Sequence, residues 1–215
     1  MEDELSEGKV IQALNWAYDK SINGVPGLDS ASELAADYMK REGSRHDQVN
    51  SLIRWQNTKA GTSGFLTGLG GIITMPVSIP ANIASVMYVQ IRMIAAIAHM
   101  GEHDLRDDRV KALVYVCLTG NAAKDILKDV GIVVGTKMAK NAIKNINRDT
   151  ITAINKAIGF RLLTKNGKTG AINLGKTVPF IGGIIGATFD SVATNTIGNI
   201  ARDTFLPVSA SDTAA

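Results

Sequence analysis

The 215-residue sequence is poor in cysteine, proline and aromatic residues, with one cysteine, five prolines and an aromatic share of 5%. A lone thiol, Cys117, cannot close an internal disulfide, so no disulfide framework holds the fold and a reducing compartment is expected. The opening Met1-Glu2-Asp3-Glu4 is acidic where a secretory leader is basic, and no short apolar segment follows it, which adds to a cytoplasmic expectation. Few aromatics mean an aliphatic core. Strand-like alternation and short-period repeats are missing too. A hydrophobic share of 45% against 20% charged excludes a largely disordered chain. Charge is absent from one long stretch: Ala60 to Ile91 holds no Asp, Glu, Lys or Arg. Acid is almost absent from another, since residues 137–176 set nine bases against Asp149 alone. The net charge of +3 hides this, because residues 1–58 carry ten acids and six bases.

What is present reads as helix throughout. Val10, Ile11, Leu14, Tyr18 and Ile22 keep helical spacing, and Val25-Pro26-Gly27-Leu28-Asp29 is a turn. Ser30 with Glu33 predicts a capping box for a helix to about Met39, and Ser44 with Asp47 starts another that ends near Gly61. Pro80 suits the first turn of a helix from Ala81 to Met100, stopped by Gly101. Asp104 is expected to cap the next helix, which carries Leu113, Val114, Val116 and Cys117 towards Gly120, with a short helix from Ala122 to Val130 after it. A helix from Ile132 to Ile146 follows, then one capped by Asp149 through Leu163. The last apolar run, Val178 to Ala201, contains one charge, Asp190. The expected architecture is all-α: a compact helical bundle with two glycine-rich apolar helical segments, in one domain over residues 1–208 with a loose tail at 209–215.

Two patterns point toward a lipid surface. The uncharged stretch is long enough to span a bilayer, but Pro76 and Pro80 interrupt it and Arg92 sits inside its better helix. A buried core helix after a glycine-rich loop is favoured over interfacial insertion, and insertion over a true span. Arg92 and Asp190 are lone charges in apolar helices, so a buried pair between them, or with Asn82 or Gln90, competes with headgroup binding by Arg92. On the helix from Ile132 to Ile146, Lys137, Lys140, Lys144 and Arg148 share one face opposite Ala139, Ala142, Ile143 and Ile146. That stripe suits anionic headgroups. Nucleic acid is disfavoured because no aromatic side chains interleave with the bases for stacking, and a plain solvated face is the competing structural reading.

Other patterns carry less. Gly64/Gly68, Gly131/Gly135 and Gly182/Gly186 have the spacing of closely packed helices. The glycine-rich run lacks the Lys-Ser/Thr ending of a phosphate loop. His99-Met100-Gly101-Glu102-His103 matches the inverted zinc-protease pattern, with His99 and His103 as ligands and Glu102 as base, but Gly101 interrupts the helix that such a site needs. No metal or cofactor is expected.

The segments Gly24-Val25-Pro26-Gly27-Leu28 and Trp55-Gln56-Asn57-Thr58-Lys59-Ala60, the signature Gly64-Phe65-Leu66-Thr67-Gly68-Leu69-Gly70-Gly71, and Met75-Pro76 resemble the EcsC family. So do Ile79-Pro80-Ala81-Asn82, Gln90-Ile91-Arg92-Met93, Tyr115-Val116-Cys117-Leu118-Thr119-Gly120, Gly159-Phe160-Arg161-Leu162-Leu163 and Val178-Pro179-Phe180-Ile181-Gly182-Gly183. Glu102-His103 departs from the Gly-Tyr that the resemblance leads one to expect. The resemblance implies a helical, membrane-associated protein and carries over no catalytic residue. The expected function is that of a non-enzymatic accessory or regulatory protein, peripheral to the inner face of the cell membrane. It would dock through Lys137, Lys140, Lys144 and Arg148, with Phe65, Leu66, Leu69 and Ile72 dipping in and Arg92 as a further headgroup contact. A zinc hydrolase at 99–103 and a soluble scaffold or regulator of a membrane transporter are the alternatives.

Overall fold

The computed structural model describes residues 7–60, 81–129, 143–163 and 191–206. These form eight α-helices: α1 (Glu7–Asn23), α2 (Ala31–Met39), α3 (Arg45–Ala60), α4 (Ala81–Met100), α5 (Asp108–Leu118), α6 (Ala123–Asp129), α7 (Arg148–Leu163) and α8 (Ser191–Phe205). The all-α expectation holds. Among the described residues the extended contact is one isolated bridge, Val25 with Leu28, inside the turn between α1 and α2. Gly24 and Gly27 take positive φ there, which lets the chain reverse without Cβ strain.

Local chemistry sets the helix starts. Ser30 Oγ accepts from the Glu33 backbone N–H while the Glu33 carboxylate accepts from the Ser30 N–H, a complete capping box. Ser44 and Asp47 repeat it at the head of α3. The same hydrogen bonds hold both carboxyls below the usual carboxylate range. Two expected caps are corrected. Asp107, not Asp104, caps α5, by accepting from the Arg109 N–H. Asp104 Oδ1 is occupied one turn earlier, accepting from the Arg106 N–H. Asn147, not Asp149, caps α7: its Oδ1 accepts from the Thr150 N–H at 2.8 Å, and Asp149 lies in the first turn. The short helix after Gly120 begins as a single 3-10 turn, Gly120–Ala122.

Helix α4 is the axis of the packing. It touches α1, α2, α3, α5 and α8, and of the residues from Tyr88 to Met100 all but His99 are buried. A helix apolar all round belongs in a protein interior, and α4 has that place. Among the described residues no helix is long and apolar enough to cross a membrane. One aliphatic cluster draws side chains from α1 through α8. Helix α8 lies on α3, α4 and α5, and α7 lies on α1 and α5. Cys117 is fully buried in α5, and burial pushes its thiol up to about 12, so it is an inert core residue. The three Gly-x-x-x-Gly pairs, and the segment 164–190 with Asp190, fall outside the described residues.

Candidate functional site

Of the side chains expected to meet lipid, Phe65, Leu66, Leu69, Ile72, Lys137 and Lys140 lie outside the described residues. Lys144 and Arg148 are exposed at the turn that leads into α7, and Lys156 is exposed two turns further along. Among the described residues none of these three is in an ion pair. The Lys144 backbone is anchored, because its carbonyl accepts from Arg109 Nη1 at 2.9 Å. Trp55 on α3 is 45% exposed, the large apolar side chain that the described surface shows most openly.

Below Arg148 a cleft of about 520 Å³ opens between α1, α5 and α7. Helical spacing builds each wall: Ile11 and Asn15 on α1, Asp108, Lys111 and Tyr115 on α5, and Arg148, Ile151 and Asn155 on α7. Tyr115 is 2% exposed, donates to Asn15 Oδ1 at 3.0 Å and stacks edge-on against Tyr18 at 5.9 Å. Burial raises both phenols well above their ordinary value, so both stay protonated donors. Tyr18 donates to the Leu105 carbonyl at 2.7 Å. Arg109 is committed to Asp107, whose carboxyl its guanidinium holds low. Lys111 stands 4.0 Å from Asp19 and 5.5 Å over the Tyr18 ring. Asn155 Oδ1 is shut off from water and accepts no hydrogen bond among the described residues.

A second cleft, of about 570 Å³, is lined by His99, Glu102 and His103 together with Ser32, Asp104 and Arg106. The pattern at 99–103 is a helix terminus. The His103 N–H bonds the Ala98 carbonyl at 3.1 Å and the Glu102 N–H bonds the His99 carbonyl at 2.9 Å, which together make a Schellman motif. Glu102 occupies its left-handed position with φ 64, where glycine is favoured. His103 is 9% exposed, and its Nε2–H donates to the Phe205 carbonyl at 2.9 Å, capping the end of α8. That nitrogen is therefore spent on helix capping. Among the described residues no group of three His, Cys, Asp or Glu side chains is gathered so that it could hold a metal ion. Glu102→Gly should relieve the backbone strain and stabilise the fold by about 1 kcal/mol, read as a raised urea midpoint. A destabilised variant would mean that the Glu102 side chain contributes more than its backbone costs.

Arg92 is 6% exposed on α4; its Nη1 donates to the Asp29 carbonyl at 3.0 Å and its guanidinium stands 5.6 Å over the Tyr88 ring. Its Nε has no hydrogen-bond partner among the described residues. Gln90 instead faces α8 and donates to Thr194 at 2.9 Å. The structure thus separates Arg92, inside the bundle, from Lys144 and Arg148 on its surface. It brings Arg148 together with Tyr115, Asn15 and Asn155, which sequence reasoning did not single out.

An all-α bundle built around an apolar central helix is the class of protein that the described residues define. The EcsC protein family profile matches residues 42–206, and the chain belongs to that family. No curated protein and no solved structure matches it.

Proposed function

We propose that this protein is a non-enzymatic accessory or regulatory protein that docks peripherally on the anionic, cytoplasmic face of a phospholipid membrane. The observation that carries the reading is the exposed basic edge of Lys144, Arg148 and Lys156, unpaired among the described residues, within a segment of nine bases and one acid. A surface of one sign attracts a surface of the other, and each Lys or Arg near an anionic leaflet contributes about 1 kcal/mol. The burial of α4 supports peripheral contact over insertion of that helix. Trp55, exposed on α3 just before the uncharged stretch, has the amphipathic ring favoured at membrane interfaces.

Co-sedimentation with vesicles tests this directly. The protein should pellet with phosphatidylglycerol-containing vesicles at low salt and stay in solution with purely zwitterionic ones. Binding should fade as salt shortens the screening length from about 10 Å at 0.1 M to about 3 Å at 1 M. Lys144→Gln, Arg148→Gln and Lys156→Gln together should weaken it about 100-fold, the equivalent of about 3 kcal/mol. Salt-resistant binding would shift the contact to the uncharged segment. No binding to any vesicle would overturn the reading and favour a soluble scaffold for a protein partner.

A further inference from the structure

We propose that the acidic segment ahead of α1, residues 1–6, folds back onto the basic edge of Lys144, Arg148 and Lys156 and covers it until an anionic surface displaces it. This rests on the reading that the edge docks on phospholipid, and it assigns to that edge an internal competitor.

The charges are complementary in sign and in number. Residues 1–6 carry Glu2, Asp3 and Glu4 and no base. The edge presents three exposed cations, none of them in an ion pair among the described residues. The neighbouring cations are spent: Arg109 on Asp107 and the Lys144 carbonyl, Lys111 between Asp19 and the Tyr18 ring. The other end of the chain is a poor rival, because residues 207–215 hold one acid, Asp212. Leu5 follows the acids, and the cleft beneath Arg148 offers it an apolar wall in Ile11 and Ile151, both half-buried. Asp108, an exposed carboxylate on the α5 wall, repels the segment and so keeps it on the α7 side. Asp149, the one acid of the basic region, stands two residues before Ile151 and so on the opposite side of α7.

The tether is long enough. Helix α1 begins at Glu7, about 6 Å along its axis from Ile11 on the cleft wall. Six extended residues reach about 20 Å. Arg148 and Lys156 are about 12 Å apart along α7, and α7 packs directly on α1. A segment tied this closely meets the edge at an effective concentration on the order of millimolar, so three surface pairs that are weak one by one act together. The same cations cannot serve these carboxylates and lipid phosphates at once. The segment therefore sets a threshold: sparse anionic lipid leaves it in place, and dense anionic lipid displaces it.

Two measurements on the full chain separate the contact from the docking. A nitroxide on Glu2→Cys reads the contact by NMR, and Cys117 stays unlabelled because it is fully buried with its thiol pushed up to about 12. The label should broaden the backbone amides of Arg148, Ile151 and Lys156 at low salt. That broadening should fall about threefold when Asp3→Asn and Glu4→Gln are added, or in about 1 M salt. No broadening, or broadening that ignores both changes, would overturn the proposal. Vesicle sedimentation reads the competition. Glu2→Gln, Asp3→Asn and Glu4→Gln together should raise affinity for phosphatidylglycerol-containing vesicles about fivefold at low salt. Asp29→Asn, Asp37→Asn and Glu42→Gln, on and beside α2, make the same change in net charge, from +3 to +6, and should raise it about twofold at most. Equal gains from the two triple variants would mean that net charge alone acts, and would overturn the covering role. A protein that pellets with anionic vesicles but shows no salt-sensitive broadening would sink the internal contact alone. One that shows the broadening while neither it nor its variants bind any vesicle would uphold the contact and sink the docking.

Discussion

Gly101→Ala should lose about 3 kcal/mol of folding stability and lower the melting temperature by about 10 °C. The reason is a backbone crossing with no room in it. A Cβ at Gly101 would fall inside the van der Waals envelope of the Phe205 carbonyl oxygen and 3.0 Å from its carbon. Both are main-chain atoms of α8, so no side chain can swing aside. The end of α8 must lift, and in lifting it gives up the His103 Nε2–H bond to the same carbonyl and the edge-on contact of His103 with the Phe205 ring at 5.3 Å. Thermal and urea unfolding of the variant measure the loss. A cost below about 1 kcal/mol would show that α8 ends further from α4 than described. The same variant distinguishes the two readings of residues 99–103. A helix-packing terminus predicts that it loses stability and that zinc cannot restore it.

Gly198→Ala should cost about 2 kcal/mol, and that cost should disappear once Ile53 is shortened. Gly198 on α8 faces Ile53 on α3, and a Cβ there would meet three Ile53 carbons at 2.7, 2.9 and 2.9 Å. Ile53 is 2% exposed and cannot turn outward without leaving the core. Ile53→Ala alone should cost about 3 kcal/mol, because it opens a cavity against α8. In the double variant the alanine methyl at position 198 enters the space that Ile53 vacated. A double-mutant cycle by urea unfolding should therefore give a coupling of about 2 kcal/mol. Strict additivity would mean that α3 and α8 cross elsewhere.

These two glycines also show which parts of the fold were legible in the sequence. Although the left-handed position that closes α4 falls on Glu102, Gly101 still marked the helix end, because a glycine after twenty helical residues is a local signal. Its second role, giving the Phe205 carbonyl space, depends on a residue about a hundred positions away and has no local signature. Gly198 was missed because it sits inside a helix with no partner glycine at the expected spacing. The caps divide in the same way. Ser30 with Glu33 is a two-residue reciprocal pattern and was readable. Asp104 and Asp107 are the same residue type three positions apart, and what chooses between them is that Arg109 clamps Asp107 while Asp104 is taken by the Arg106 N–H. Asn147 was passed over for Asp149 on the same footing. Of the candidate site, Arg148 was legible from the charge pattern. Tyr115, Asn15 and Asn155 were not, since they look like ordinary helical positions until three helices bring them to one cleft. The uncharged stretch was legible as unusual, and burial of α4 settles the fate of its C-terminal part: Tyr88 to Ile91 lie inside the protein.

The contacts that enclose α4 have a consequence for synthesis. Gln90 waits for Thr194 and His103 for Phe205, pairs separated by 104 and 102 residues. At about 5–20 residues per second, a ribosome delivers α8 roughly 5–20 s after α4 has emerged. Throughout that interval α1, α2 and α3 are already made and cover part of α4, but the face that α8 closes stays open. The nascent chain is thus greasiest in mid-translation, and its yield in a cell should depend on whatever holdase meets it before the last helix arrives.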